Sequence, residues 1–259
     1  MFEAIARWGA WGILWLQCCG RAGIFLAKMT CRKPQWGHTW PIVRQQLFYI
    51  GSLSCFIMMV SGLFIGMVVG LQGYHTLEKF GAATHVGQLL ALSITRELGP
   101  VLCALLFAGR AGSSLTAEIG LMKATEQLDS MDMMAVDPVG YVLYPRFIAG
   151  MIALPLLTLI FSAMAIIGGY LISVPWLGID DGSFWSNMQA AVDFRADVCG
   201  GVIKSVVFAL SVLWISIVQG FLCEPTAEGI CRATTRTVVF SSLSVLGFDV
   251  LLTAMMIGG

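Results

Sequence analysis

Five apolar stretches, near residues 46–72, 86–108, 147–174, 198–222 and 238–257, are each long enough to cross a hydrocarbon core as a helix, which takes about 20 residues. Nothing else in the chain limits its fold as strongly. Composition agrees: 58% of the 259 residues are hydrophobic and 12% charged, with a mean hydropathy of +0.83. Formal net charge is zero, so no basic surface points to nucleic acid, and the few charges matter by position. The chain is expected to be an all-α integral membrane protein, a single membrane domain over residues 1–259 with about five transmembrane helices.

Lysine and arginine set the orientation, because cytoplasmic flanks collect positive charge. Arg7, Arg21, Lys28, Arg32, Lys33 and Arg44 precede the first stretch; Arg110, Lys123 and Arg146 lie between the second and third; Arg232 and Arg236 lie between the fourth and fifth. Only Lys79 and Arg195 fall on the other side. This predicts a cytoplasmic N-terminus and a C-terminus on the far side. In the first thirty residues Trp8, Trp11 and Trp15 recur at helical spacing while Arg7, Arg21 and Lys28 share a face. That pattern suits a helix lying at the membrane surface, ahead of a sixth span or a signal peptide.

Eight cysteines form no CxxC pair and the three histidines are scattered, so structural thiols are expected and no metal site. The chain has no GxxxxGK[ST] phosphate loop, no GxSxG and no HExxH. If ATP drives this protein, another chain binds it with its Mg, and this chain carries no cofactor.

The second stretch contains charges in mid-helix, at Arg96 and Glu97 in "LSITRELGPVLCALLFAG". Glu97 lies roughly 16 Å in from residue 86 at helical rise, where a charge is costly unless partnered or wet. Pro100 has no N–H for the Arg96 carbonyl and Gly99 loosens the helix, so a bend coincides with the charges. Either Arg96 and Glu97 pair to hold a kink or they line a polar cavity. Lys204 and Asp249 lie about 9 Å and 12 Å from the outer ends of their spans, at depths that allow them to pair. The four charges cancel, as a buried network shared between spans would. In the first stretch Gly62, Gly66 and Gly70, with Leu71 beside the last, align a groove for another helix or for a bulky apolar ligand.

Residues 111–145 carry Glu118, Glu126, Asp129, Asp132 and Asp137 against Lys123 alone, on the face where positive charge is usual. Leu121, Leu128, Met131 and Ala135 follow helical spacing, Met122, Met133 and Met134 add adaptable apolar surface, and Pro138 ends the run. A docking helix over 118–136 is expected, its acids set against basic residues of a cytoplasmic partner; a solvated connector is the alternative.

Residues 96–146, "RELGPVLCALLFAGRAGSSLTAEIGLMKATEQLDSMDMMAVDPVGYVLYPR", with "GLFIGMVVGLQGY" before and "GICRATTRTVV" after, resemble the MlaE (YrbE) permeases over nearly the whole chain. The resemblance implies the inner-membrane permease of an ABC system that moves phospholipid between the inner and outer membranes of a Gram-negative cell and maintains outer-membrane lipid asymmetry. It implies a second copy of the chain, two ATPase subunits (MlaF), a STAS-domain protein (MlaB) and a periplasmic hexamer of MCE-domain subunits (MlaD). A lipid pocket built by the permease pair and a coupling helix at the acidic segment are also implied. Acyl chains are then expected against the first, second and fifth spans, with Arg96, Glu97, Lys204 and Asp249 handling the headgroup and the phosphate favouring Arg96 or Lys204. Competing readings are a permease for another apolar cargo, an intramembrane enzyme using Glu97 and Asp249 as acid and base, and a membrane scaffold.

Overall fold

The structure, a computed structural model, describes Gly20 and residues 36–257. Five helical segments are long and apolar enough to cross a membrane: Trp40–Glu78, Ala83–Ala124, Val139–Ser173, Cys199–Leu222 and Ala227–Met256. They are the first to fifth spans below. They coincide with the five apolar stretches but run further at their polar ends, so Arg44 and residues 111–124 belong to helix and not to loops. The surface helix expected within the first thirty residues lies outside the described residues.

Glycine sets the tightest packing. A Cβ at Gly62 would stand 2.7 Å from the Phe161 carbonyl oxygen, and one at Gly66 closer still to the Ala165 carbonyl oxygen. Gly70 faces Gly169 one turn on, and Gly168 meets the Leu63 backbone from the other side. The first and third spans thus touch backbone to backbone, which only residues without a side chain allow. Behind this seam the core draws on every span: Met58, Phe107, Phe161, Phe208, Leu213 and Val245 are all buried within it.

The fifth span lies at the edge of the bundle. Its buried positions, Gly229, Ala233, Thr237, Ser241 and Val245, recur every four residues, so one narrow stripe faces the core and the remaining surface faces outward. Thr237 joins this stripe to the second and fourth spans: its hydroxyl is 2.9 Å from that of Thr116, which also donates to the Ser216 carbonyl.

The connection between the third and fourth spans holds a helix that the hydropathy pattern did not announce, Asp181–Ala191. Asp180 caps it by accepting the Ser183 N–H at 2.9 Å. Ring contacts among Tyr170, Phe184 and Trp185 fasten it to the end of the third span. Being short and mixed in polarity, it has no membrane signature to read.

Candidate functional site

The second span is not a uniform α-helix. Ile94–Leu98 forms a π-turn, in which the Gly99 N–H reaches back five residues to the Ile94 carbonyl. Pro100 follows, without an N–H to close the next bond. The widened turn is the helix's answer to that missing donor, and turns of this kind recur at functional sites. It presents Arg96 and Glu97 toward the fourth and fifth spans. Gly201 of the fourth span lies over the Thr95 carbonyl, where a Cβ would come within 2.4 Å of the oxygen, and the Pro100 ring packs beside it.

Arg96 and Glu97 do not pair with each other. Arg96 donates from Nε to Asp197 Oδ1 at 2.5 Å, while the other Asp197 oxygen accepts the Asp193 N–H at 2.8 Å. Asp197 is buried and Arg96 is half exposed. Glu97 faces Lys204, whose Nζ lies 3.6 Å from Glu97 Oε1, 3.4 Å from Asp249 Oδ1 and 2.7 Å from Thr253 Oγ1. Lys204 and Asp249 come together, the pairing that their depths allow. The expected neutral set of four charges becomes a set of five with one excess negative charge, because Asp197, just before the apolar stretch beginning at residue 198, joins it through Arg96. The signal available for it was an acid one helical turn from Gly200 and Gly201, which mark a close helix approach.

These partners decide what each cation can do. Lys204 is buried and has three donors; it donates to Asp249 and Thr253 and forms a longer ion pair with Glu97. It ties the second, fourth and fifth spans together from a buried position, whereas Arg96, the other cation expected to favour a phosphate, is half exposed. Arg96 has five N–H donors and spends one on Asp197. Its side chain is half exposed, as is that of Glu97. The cluster thus offers a cation held in place from behind and an acid beside it.

Other expected cavity residues are placed elsewhere. Gly62, Gly66 and Gly70 pack against the backbone of the third span, a close helix approach that their missing side chains permit. Pro100 is buried against the fourth span. Leu71 remains exposed on the outer face of the first span.

The acidic segment is two pieces, not one helix over 118–136. The second span runs to Ala124; Glu126 then takes a left-handed conformation (φ 56) and a separate short helix covers Gln127–Met133. It stops at Ala135, also left-handed (φ 58), before Pro138. Glu118 turns inward to Arg146 at 3.2 Å. Lys123 donates to the carbonyl oxygens of Phe221 at 2.9 Å and Cys223 at 2.8 Å, satisfying the open carbonyl end of the fourth span. Leu128 is buried and anchors the short helix. What remains outward is Glu126, Asp129, Asp132 and Met133, with Met131 half buried. The break at Glu126 falls between Lys123, held at the end of the fourth span, and the buried Leu128.

The sequence that builds this bundle matches a known group of proteins. The model of the family described as Permease MlaE matches residues 43–255. The chain is 54% identical to "Intermembrane phospholipid transport system permease protein MlaE" of Haemophilus influenzae over 254 residues, covering 98% of this chain and 97% of that one. It is 36% identical to a probable ABC transporter permease protein of Rickettsia typhi over 83% of each chain. A probable ABC transporter permease protein of Rickettsia bellii is 35% identical over 92% of this chain and 91% of that one. Since the match takes in the charged turn, its partners on the fourth and fifth spans and the acidic helix alike, the chain belongs to the MlaE permease family.

Proposed function

We propose that this chain is the permease subunit of an ABC transporter that moves phospholipid between the inner and outer membranes and so maintains the lipid asymmetry of the outer membrane. The observation that carries this reading is the 54% identity, over nearly the full length of both chains, to a relative whose name states intermembrane phospholipid transport. The half-exposed Arg96, braced by Asp197 and with donors to spare, supports it as a seat for a phosphate group.

In this reading the permease sits in the bacterial inner membrane with its N-terminus cytoplasmic and its C-terminus periplasmic. Two copies enclose the lipid path. An MlaF-like ATPase subunit binds ATP and Mg and supplies the free energy; an MlaB-like STAS protein and an MlaD-like MCE hexamer complete the assembly. The short helix Gln127–Met133 meets the ATPase through its outward acids and Met133. Movement there passes through Lys123 to the carbonyl end of the fourth span. Because Cys199–Leu222 is one unbroken helix, displacement at Leu222 reaches Lys204 near its other end and shifts the hold on Glu97 and Asp249.

Purification of the chain from its own membranes in mild detergent, followed by mass spectrometry of bound proteins and lipids, tests the reading. An ATPase, an MCE protein and phospholipid are expected with the wild type. The ATPase should be lost when Glu126, Asp129 and Asp132 are changed to lysine. A chain that purifies alone and without lipid defeats the proposal.

A further inference from the structure

The fifth span carries two arginines one helical turn apart, Arg232 and Arg236, beside the carbonyl end of the fourth span. Between them lies an open cavity of about 160 Å³, walled by Gln219, Leu222, Cys223 and Glu224 and floored by Ala233. Arg232 meets Glu228 at 2.5 Å, but both side chains are exposed, and such a pair is weak and easily exchanged. With Glu224 on its wall and Glu228 beside Arg232, the two arginines face two acids and the cavity is neutral overall, so the arginines matter by their donors and not by excess charge.

Depth identifies what can reach it. The helix Ala227–Ile257 has 31 residues, about 46 Å at helical rise. Its dense charges end at Arg236, and residues 237–257 supply about 31 Å, the thickness of a hydrocarbon core. The arginines therefore stand at headgroup level, at the opposite end of the fifth span from Asp249. On the same outward face Val239, Phe240, Leu243, Leu246 and Val250 are exposed one turn after another. An arginine pair at headgroup level continued by an apolar track has the polarity of a phospholipid.

We infer that this cavity is a second lipid site, in which Arg232 and Arg236 fork onto the phosphate of a phospholipid headgroup while its acyl chains follow the Val239 to Val250 track. The inference rests on the proposed function for the cargo and for this side being cytoplasmic. It adds the place where the permease meets lipid of the cytoplasmic leaflet, apart from the Arg96 cluster. Charge-assisted contacts from arginine to phosphate are bidentate and strong, whereas a soluble acidic partner would have no use for the apolar track.

The test is made on the full-length chain with its partners in nanodiscs of phosphatidylethanolamine and phosphatidylglycerol, with a photoreactive benzoylphenylalanine in place of Leu222. Illumination should attach phospholipid at this position. The yield should fall at least about tenfold in the Arg232→Gln, Arg236→Gln variant, hold in Arg232→Lys, Arg236→Lys, and persist in inorganic phosphate. Equal yield in the glutamine variant, adducts to a protein in place of lipid, or displacement by inorganic phosphate would each overturn the inference. Lipid transfer by the same wild-type complex separates the two readings. Transfer without an arginine-dependent adduct overturns this site alone, whereas an arginine-dependent adduct without transfer upholds the site and overturns the transport reading.

Discussion

Arg96 on the second span and Asp197 at the head of the fourth are 101 residues apart in the chain and joined at 2.5 Å, the arginine half exposed and the aspartate buried behind it. A buried acid aimed at an exposed cation fixes where the cation points. If Arg96 works from that position, Asp197 is needed for the work without touching the cargo. Arg96→Ala and Asp197→Ala should each lower lipid transfer between vesicles, by about tenfold if one charge-assisted contact is lost. The double variant should be no worse than either single one, since both remove the same interaction. Additive losses in that cycle would show that the two residues act separately.

Lys204 should matter more for folding than Arg96 does. Lys204→Met leaves the half-exposed Glu97 and the more buried Asp249 facing each other without a cation, a loss below the about 3–5 kcal/mol of a fully buried pair broken from one side. Thermal unfolding in detergent should show it as a lower midpoint. Adding Glu97→Gln and Asp249→Asn to Lys204→Met should recover most of the loss, because no unpaired charge then remains.

The glycine seam is a packing feature and should respond as one. Gly66→Leu drives a side chain into the Ala165 backbone and should prevent a monodisperse product in size-exclusion chromatography. Gly109→Ala, with nothing within 4 Å of the added carbon, should behave as wild type. A Gly66→Leu protein that is monodisperse and still transfers lipid would return the stripe to the cavity.

Cys223 lies between the fourth and fifth spans, next to Lys123. Burial pushes its thiol above the ordinary range, and the Lys123 ammonium draws it partly back. The raised group stays protonated at neutral pH, and only the thiolate reacts. With every other cysteine replaced by serine, Cys223 should label with maleimide at least about tenfold more slowly than a cysteine placed at the exposed Met133. Its rate should climb as pH rises, with the climb setting in at higher pH than for the exposed thiol. Equal rates at pH 7 would mean that Lys123 does not hold the turn closed.

Much of this protein follows from its one-dimensional pattern. The five spans are legible because crossing a bilayer demands an apolar run of fixed length, and the chain states that length five times. The cost of Arg96, Glu97, Lys204 and Asp249 in mid-membrane is legible too, since burying a charge demands partners whatever the fold. Which partners they take is not: Arg96 stands beside Glu97 in sequence yet turns to Asp197, because a π-turn before Pro100 rotates the two side chains to different neighbours. Spacing likewise proposes one helix over 118–136, whereas Lys123 is drawn to the end of the fourth span, Leu128 is buried, and the helix breaks at Glu126. Gly62, Gly66 and Gly70 announce a close approach without naming what approaches; the third span does. Local pattern determines which segments leave water. The pairing of side chains across spans depends on distances between segments far apart in the chain, and only the folded bundle sets those.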